Sequence, residues 1–335
     1  MLNGPIRVVD YHTAGEPFRI VTGGGPELQG ATVLDRRDFA QANRDEVRQL
    51  LVNEPRGHAD MYGGFVTPPD DPAADLGVVF FHKDGYSTAC GHGTIALVTW
   101  AIESGRIPLE GEDRRVIVDT PSGRVATAAE LDGDRVSAVS FINVPSFVSG
   151  RHLAVQLSSG VIDVDVAYGG AYYASIDAAQ LELAATPENL GRFIELGREI
   201  KGILGGNPAV EHPVDERLSG LYGTIFFEHL GRNEEGIHQR NVTVFADGEV
   251  DRSPCGSGTS ARLALLDSAA DLARGEILTH EGIIGTTFTG SVVADGDVAG
   301  RRAVITRVRG SAHRTGSAVF TLDQDDPIGL GFQLR

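Results

Sequence analysis

The sequence predicts an α+β chain built as two similar halves. Three observations lead there. The phrase Cys90-Gly91-His92-Gly93-Thr94-Ile95-Ala96 returns as Cys255-Gly256-Ser257-Gly258-Thr259-Ser260-Ala261, with the shared pattern C-G-x-G-T-x-A. The two cysteines are the only ones in 335 residues, and they lie 165 positions apart, close to half the chain. Each phrase also opens a segment that is apolar nearly all round, while short β-type runs fill much of the rest. Such a length can bury a large core and favours two domains.

In chain order, Ile6 to Asp10 reads as a first strand and Phe18 to Thr22 as a second, with a polar turn, Asp10 to Pro17, between them. Arg36 to Asn53 is charged, with apolar residues at helical spacing, and predicts one surface helix stopping before Pro55. Leu76 to His82 is a dense apolar run and predicts a buried strand. After the first cysteine, Thr94 to Ile102 lacks a polar face, so a helix there must be enclosed by protein. The segment after the second cysteine, Ala261 to Leu272, has the same character. Short strands are predicted at Val116 to Asp119, Val136 to Ile142, Val161 to Val166, Val242 to Ala246, Ala303 to Val308 and Ala318 to Leu322. A further helix runs from Pro187 to Leu204, with Thr186 as N-cap and proline at its first position. Pro68 to Ala74 and Arg232 to Gln239 read as surface loops.

Composition narrows the function. Hydrophobic residues make up 41% and charged residues 22%, an ordinary globular balance. A net charge of −17 repels phosphate backbones and anionic bilayers, so neither nucleic acid nor membrane is expected as a partner. The N-terminus lacks the basic start and apolar core of a signal peptide, and two cysteines make no secreted disulfide framework. A cytoplasmic location with free thiols is the expectation.

Each cysteine immediately precedes a predicted helix, whose first turn offers unpaired N–H groups and the positive end of the dipole. Both effects favour thiolate, so the reading expects the thiol pKa to fall at both positions. Glycines beside them let backbone N–H groups approach an anion, which gives an acidic protein a way to hold a carboxylate. Two such thiols on opposite faces of one α-carbon form a proton-transfer pair: one takes the α-proton, the other returns one. The enediolate charge falls on the same N–H groups. This chemistry calls for no cofactor, pyridoxal included, and no metal. Other readings stay open: an inert buried thiol, a disulfide, a zinc site at Cys90 and His92, or a phosphate-binding turn. His12 and His58 read first as hydrogen-bonded structural residues, His92 equally as structural or participating, and Asp251 equally as a turn residue.

Four stretches carry a resemblance: Asp10-Tyr11-His12-Thr13-Ala14-Gly15-Glu16-Pro17, Glu54-Pro55-Arg56-Gly57-His58-Ala59-Asp60-Met61, Cys90-Gly91-His92-Gly93 and Asp251-Arg252-Ser253-Pro254-Cys255-Gly256-Ser257-Gly258-Thr259. In these the chain resembles the proline racemase superfamily along nearly its whole length. The resemblance implies a diaminopimelate epimerase-like fold: two pseudo-symmetric halves, each a barrel-like sheet around a central buried helix. The halves would be 1–128 with 318–335, bearing Cys90, and 129–317, bearing Cys255, with the active site in the cleft. It implies Cys90 and Cys255 as the acid/base pair, with Gly91, His92, Asp251, Gly256 and Ser257 on the substrate's carboxylate and amine. It also implies a small imino acid as substrate and a homodimer.

Two activities compete. Two intact thiols favour a racemase or 2-epimerase of proline or a hydroxyproline, and this is the leading expectation. The alternative is a trans-3-hydroxy-L-proline dehydratase. Leu221-Tyr222-Gly223-Thr224-Ile225, Val244-Phe245-Ala246-Asp247 and His313-Arg314-Thr315-Gly316 with Asp325-Asp326-Pro327 resemble that branch, in which the second cysteine is commonly threonine. Epimerases of the 4-hydroxy substrate commonly carry histidine where Thr224 falls. A non-catalytic amino-acid-binding protein is the reading from outside the enzymes.

Overall fold

The structure, a computed structural model, describes residues 4–108 and 115–334. The chain divides into two compact units, Met1–Val139 with Ser311–Arg335, and Ser140–Gly310. Both mix strands with a few helices, so the α+β class holds.

In the first unit the strand Ile6–Thr13 lies between Glu16–Gly23 and Ala312–Phe320, antiparallel to both. Glu16–Gly23 continues in parallel to Tyr62–Thr67, which pairs with the fully buried strand Leu76–His82. That last strand matches the predicted run residue for residue. The single helix expected over Arg36 to Asn53 is instead two, α1 (Val33–Asn43) and α2 (Asp45–Val52). Arg44 ends one and starts the other, with φ −141 and its N–H bonded to the Ala40 carbonyl. The first helix also begins earlier than expected, because Thr32 and Asp35 form a reciprocal capping box. Helix α3 (Gly91–Glu103) is buried at every position from Gly91 to Ala101. The sequence reading of an enclosed helix is thereby realised.

The second unit contains Phe147–Leu157, Gly160–Tyr168 and Tyr172–Asp177, joined in an antiparallel series. Tyr172–Asp177 runs parallel to Leu221–Arg232, which forms a hairpin with Gly236–Phe245. The loop expected from Arg232 to Gln239 is therefore mostly strand; only residues 233–235 turn, where the Asn233 side chain accepts from the N–H of Glu235 and Gly236. Helix α4 (Leu190–Leu204) follows a short 3-10 turn at Pro187–Asn189 whose N-cap is Thr186. Its face of Phe193, Gly197, Ile200 and Leu204 is buried in the main apolar cluster of this unit. Gly197 lies so close to Val244 that an added Cβ would sit 2.7 Å from its Cγ1. Helix α5 (Gly256–Ser268) is buried from Gly256 to Leu266. Among the described residues no helix is long and apolar enough to cross a membrane.

Candidate active site

The repeated phrase has a local physical meaning, the same in both units. Each cysteine is the N-cap of a buried helix. The threonine four residues on donates its hydroxyl back to the cysteine carbonyl, at 2.8 Å from Thr94 to Cys90 and 2.8 Å from Thr259 to Cys255. The second glycine makes room for sulfur: a Cβ on Gly93 would lie 2.7 Å from Cys90 Sγ, and one on Gly258 would lie 2.9 Å from Cys255 Sγ. C-G-x-G-T is thus a device for seating a thiol on the first turn of a helix. Neither cysteine is in a disulfide, and both are buried.

The two settings differ in what surrounds the sulfur. Cys90 has extended backbone, φ −152, and its sulfur accepts the Gly93 N–H at 3.2 Å. Both ring nitrogens of His92 lie 3.5 Å from that sulfur. Burial drives the His92 pKa down to about 3, against the opposing pull of the Pro17 carbonyl, so its imidazole is neutral near pH 7. The ring is gripped edge-on by Tyr62 at 4.8 Å and Phe18 at 5.8 Å. Thr13 donates to the His92 carbonyl at 2.9 Å, which ties the first motif to the cysteine turn.

Cys255 stands in the left-handed region, φ 64, a conformation that costs a non-glycine residue about 1 kcal/mol or more. No side-chain cap hydrogen bond forms on α5. Burial, then the Asp251 carboxyl, push its thiol up to about 12, while the Tyr173 hydroxyl, the Gly258 N–H and the Ser257 hydroxyl pull the other way. The expectation that the helix end lowers the pKa is overturned at this cysteine. Desolvation and a neighbouring acid outweigh a few partial charges. Asp251 is buried as well, and burial raises its pKa; the Ser253 hydroxyl at 2.7 Å and N–H at 2.8 Å both donate to its Oδ1 and oppose the rise.

The structure thus gathers Cys90, Gly91 and His92 on one turn of the first unit, and Asp251, Cys255, Gly256 and Ser257 around one turn of the second. Sequence reasoning missed Tyr62 and Tyr173. Tyr173 reaches Ser257 Oγ at 2.7 Å and Cys255 Sγ at 3.5 Å. Nothing local marks it, since 82 residues separate it from the cysteine. The motifs holding His12 and His58 converge within the first unit on a cavity of about 480 Å³, which Asp10, Arg19 and Arg56 also line. Thr224 faces away from the cysteine: its neighbours Gly223 and Ile225 approach Tyr173 and the Gly258 position, and strand alternation turns residue 224 to the other side.

Comparison with known proteins agrees with the motifs. The family model described as "Proline racemase" matches residues 8–333. A trans-3-hydroxy-L-proline dehydratase of Bacillus cereus is 44% identical over 326 residues, covering 97% of each chain. A 3-hydroxyproline 2-epimerase of Burkholderia multivorans is 44% identical over 331 residues, covering 98% of each. A crystal structure of a hydroxyproline epimerase from Agrobacterium vitis, with bound trans-4-hydroxy-L-proline, superposes with a TM-score of 0.91 at 32% identity, covering 99% of this chain and 96% of that one.

Proposed function

The chain belongs to the proline racemase family, and on that premise we propose that it removes the α-proton of a 3-hydroxylated L-proline and eliminates the hydroxyl as water. The observation that carries the proposal is the similarity, at 43–44% identity along nearly the whole chain, to several proteins named trans-3-hydroxy-L-proline dehydratase. Both sulfurs receive an amide N–H from the second glycine of their phrase, and burial with Asp251 favours the protonated form of Cys255. A racemase must use either thiol as base in turn. A one-way elimination needs one base and one acid, as does a single epimerisation event, and it is the relatives that favour elimination.

In this reading the N–H groups of Gly91, His92, Gly256 and Ser257, on the first turns of α3 and α5, hold the carboxylate and the enediolate charge. Cys90 takes the α-proton. The β C–O bond breaks, and the departing hydroxide leaves as water with the proton of Cys255. The carbon product is the cyclic enamine, which tautomerises to the imine. Each proton-transfer partner contributes about 10²–10⁴-fold. Several of the relatives at 43–44% identity are named trans-3-hydroxy-L-proline dehydratases, which supports elimination over the racemisation that the sequence alone put first.

A second reading is 2-epimerisation of the same substrate, with Cys255 returning its proton to the opposite face of the α-carbon. The cysteine at 255, in a branch where threonine is common, favours it, as does the relative named a 3-hydroxyproline 2-epimerase. Proton NMR in D₂O with trans-3-hydroxy-L-proline separates the two. Elimination predicts the cyclic imine, abolished in Cys90→Ser and retained in Cys255→Thr. Epimerisation predicts α-deuterated cis-3-hydroxy-D-proline, lost in both variants. No turnover of any proline derivative would defeat both.

A further inference from the structure

The Cys255 sulfur lies in a buried place next to an acid, yet its assigned role obliges it to become a thiolate once per turnover. Something must receive that charge. Tyr173, on the strand Tyr172–Asp177, is fully buried, with its hydroxyl 3.5 Å from Cys255 Sγ and 2.7 Å from Ser257 Oγ. Its ring is braced edge-on by Tyr222 at 5.8 Å. Three groups that can each donate and accept are therefore linked, thiol, phenol and alcohol, and the alcohol also reaches the sulfur itself.

We propose that Tyr173 is a positioning residue for Cys255, completing a hydrogen-bond chain with Ser257 that reverses direction when the thiol gives up its proton. The inference rests on the acid role given to Cys255 above. With the thiol protonated, S–H donates to the phenol oxygen and the phenol donates to Ser257. Once the proton has gone to the substrate, the phenol turns its O–H to the sulfur and Ser257 donates to the phenol. No proton leaves either hydroxyl; two O–H bonds rotate, and the thiolate gains a charge-assisted donor without water. In the other unit the side chain 3.5 Å from the sulfur is an imidazole. The third position of its phrase is His92, and Tyr62 presents its ring to that imidazole while its hydroxyl bonds to Ser87. The titratable and charged groups around the Cys255 sulfur are Asp251 and Tyr173, with Tyr222 beyond Tyr173 and Arg252 beyond Asp251. Among these Tyr173 is the donor that can turn.

The test is the rate of iodoacetamide alkylation of each thiol in the full-length protein between pH 7 and 9, resolved by peptide mass spectrometry. A hydrogen bond to a charged group is worth enough to change the thiolate population about tenfold. Tyr173→Phe should lower the Cys255 rate about tenfold at every pH and leave the Cys90 rate where it was. Ser257→Ala should lower it about threefold, since it removes the donor behind the phenol and the hydroxyl's own hydrogen bond to the sulfur. It decides the matter if Tyr173→Phe loses its near-UV circular dichroism. An unchanged Cys255 rate overturns the proposal, and so does an equal shift at both thiols, which would mean general loosening. Because no substrate is used, failure here is distinct from failure of the reaction assigned above.

Discussion

Gly93→Ala is the sharpest probe of how the cysteine turn is built. Gly93 is the third residue of α3, where alanine is the better helix former by about 1 kcal/mol. Space opposes that gain. The new Cβ would stand 2.4 Å from Phe18 Cε2, 2.7 Å from Cys90 Sγ and 2.9 Å from Phe18 Cδ2. Phe18 is fully buried and has Tyr62, Phe80 and His92 around it, so its ring has nowhere to retreat. Overpacking of this kind costs about 1–3 kcal/mol, and it also moves the sulfur off the Gly93 amide. The net expectation is a loss of up to about 2 kcal/mol, or up to about 3 °C in Tm. Activity should fall about a hundredfold, because a sulfur displaced by a fraction of an ångström misses its near-attack position. Gly258→Ala is the matched comparison. Its Cβ would meet Cys255 Sγ and Ile225 Cδ1 at 2.9 Å, and the isoleucine methyl can swing aside. Stability should stay within about 1 kcal/mol of the parent. Thermal unfolding followed by calorimetry, with initial rates on the same preparations, measures both. A Gly93→Ala protein that melts higher than the parent and keeps its turnover would refute the view that this glycine exists to seat the thiol.

Two further expectations concern stability. His92 and His280 are buried, and burial lowers each pKa to about 3. The unfolded chain binds more protons at these positions between that value and about 6.5, so stability rises with pH across the window and is lost as pH falls through it. From pH 6.5 to 5 each histidine should remove about 1.6 kcal/mol. Urea unfolding should show His280→Asn with a shallower pH dependence than the parent, and identical slopes would count against the assignment. Arg19 is buried, bidentate to Asp10 at 2.8 and 3.0 Å, and also donates to the carbonyls of Leu51 and Arg56. Arg19→Met strands these acceptors and should cost about 3–5 kcal/mol in chemical denaturation; a loss under 1 kcal/mol would contradict it.

The sequence by itself determined what is local. A repeated pentapeptide pattern located both helix starts, because glycine spacing, a back-bonding threonine and an N-cap act within five residues. The uniform apolarity of α3 and α5 foretold their enclosure, and Leu76 to His82 foretold a buried strand. Only the tertiary structure decided what depends on distant neighbours. Arg36 to Asn53 became two helices through capping at Thr32 and the break at Arg44. Residues near 232–239 became a hairpin because a partner strand was available. Above all, two nearly identical cysteine phrases acquired different chemistry. The phrase sets where each sulfur sits, but burial, Asp251 four residues upstream and Tyr173, brought in by another strand, set how firmly Cys255 keeps its proton. Desolvation and charge act through space, and a motif read along the chain contains neither.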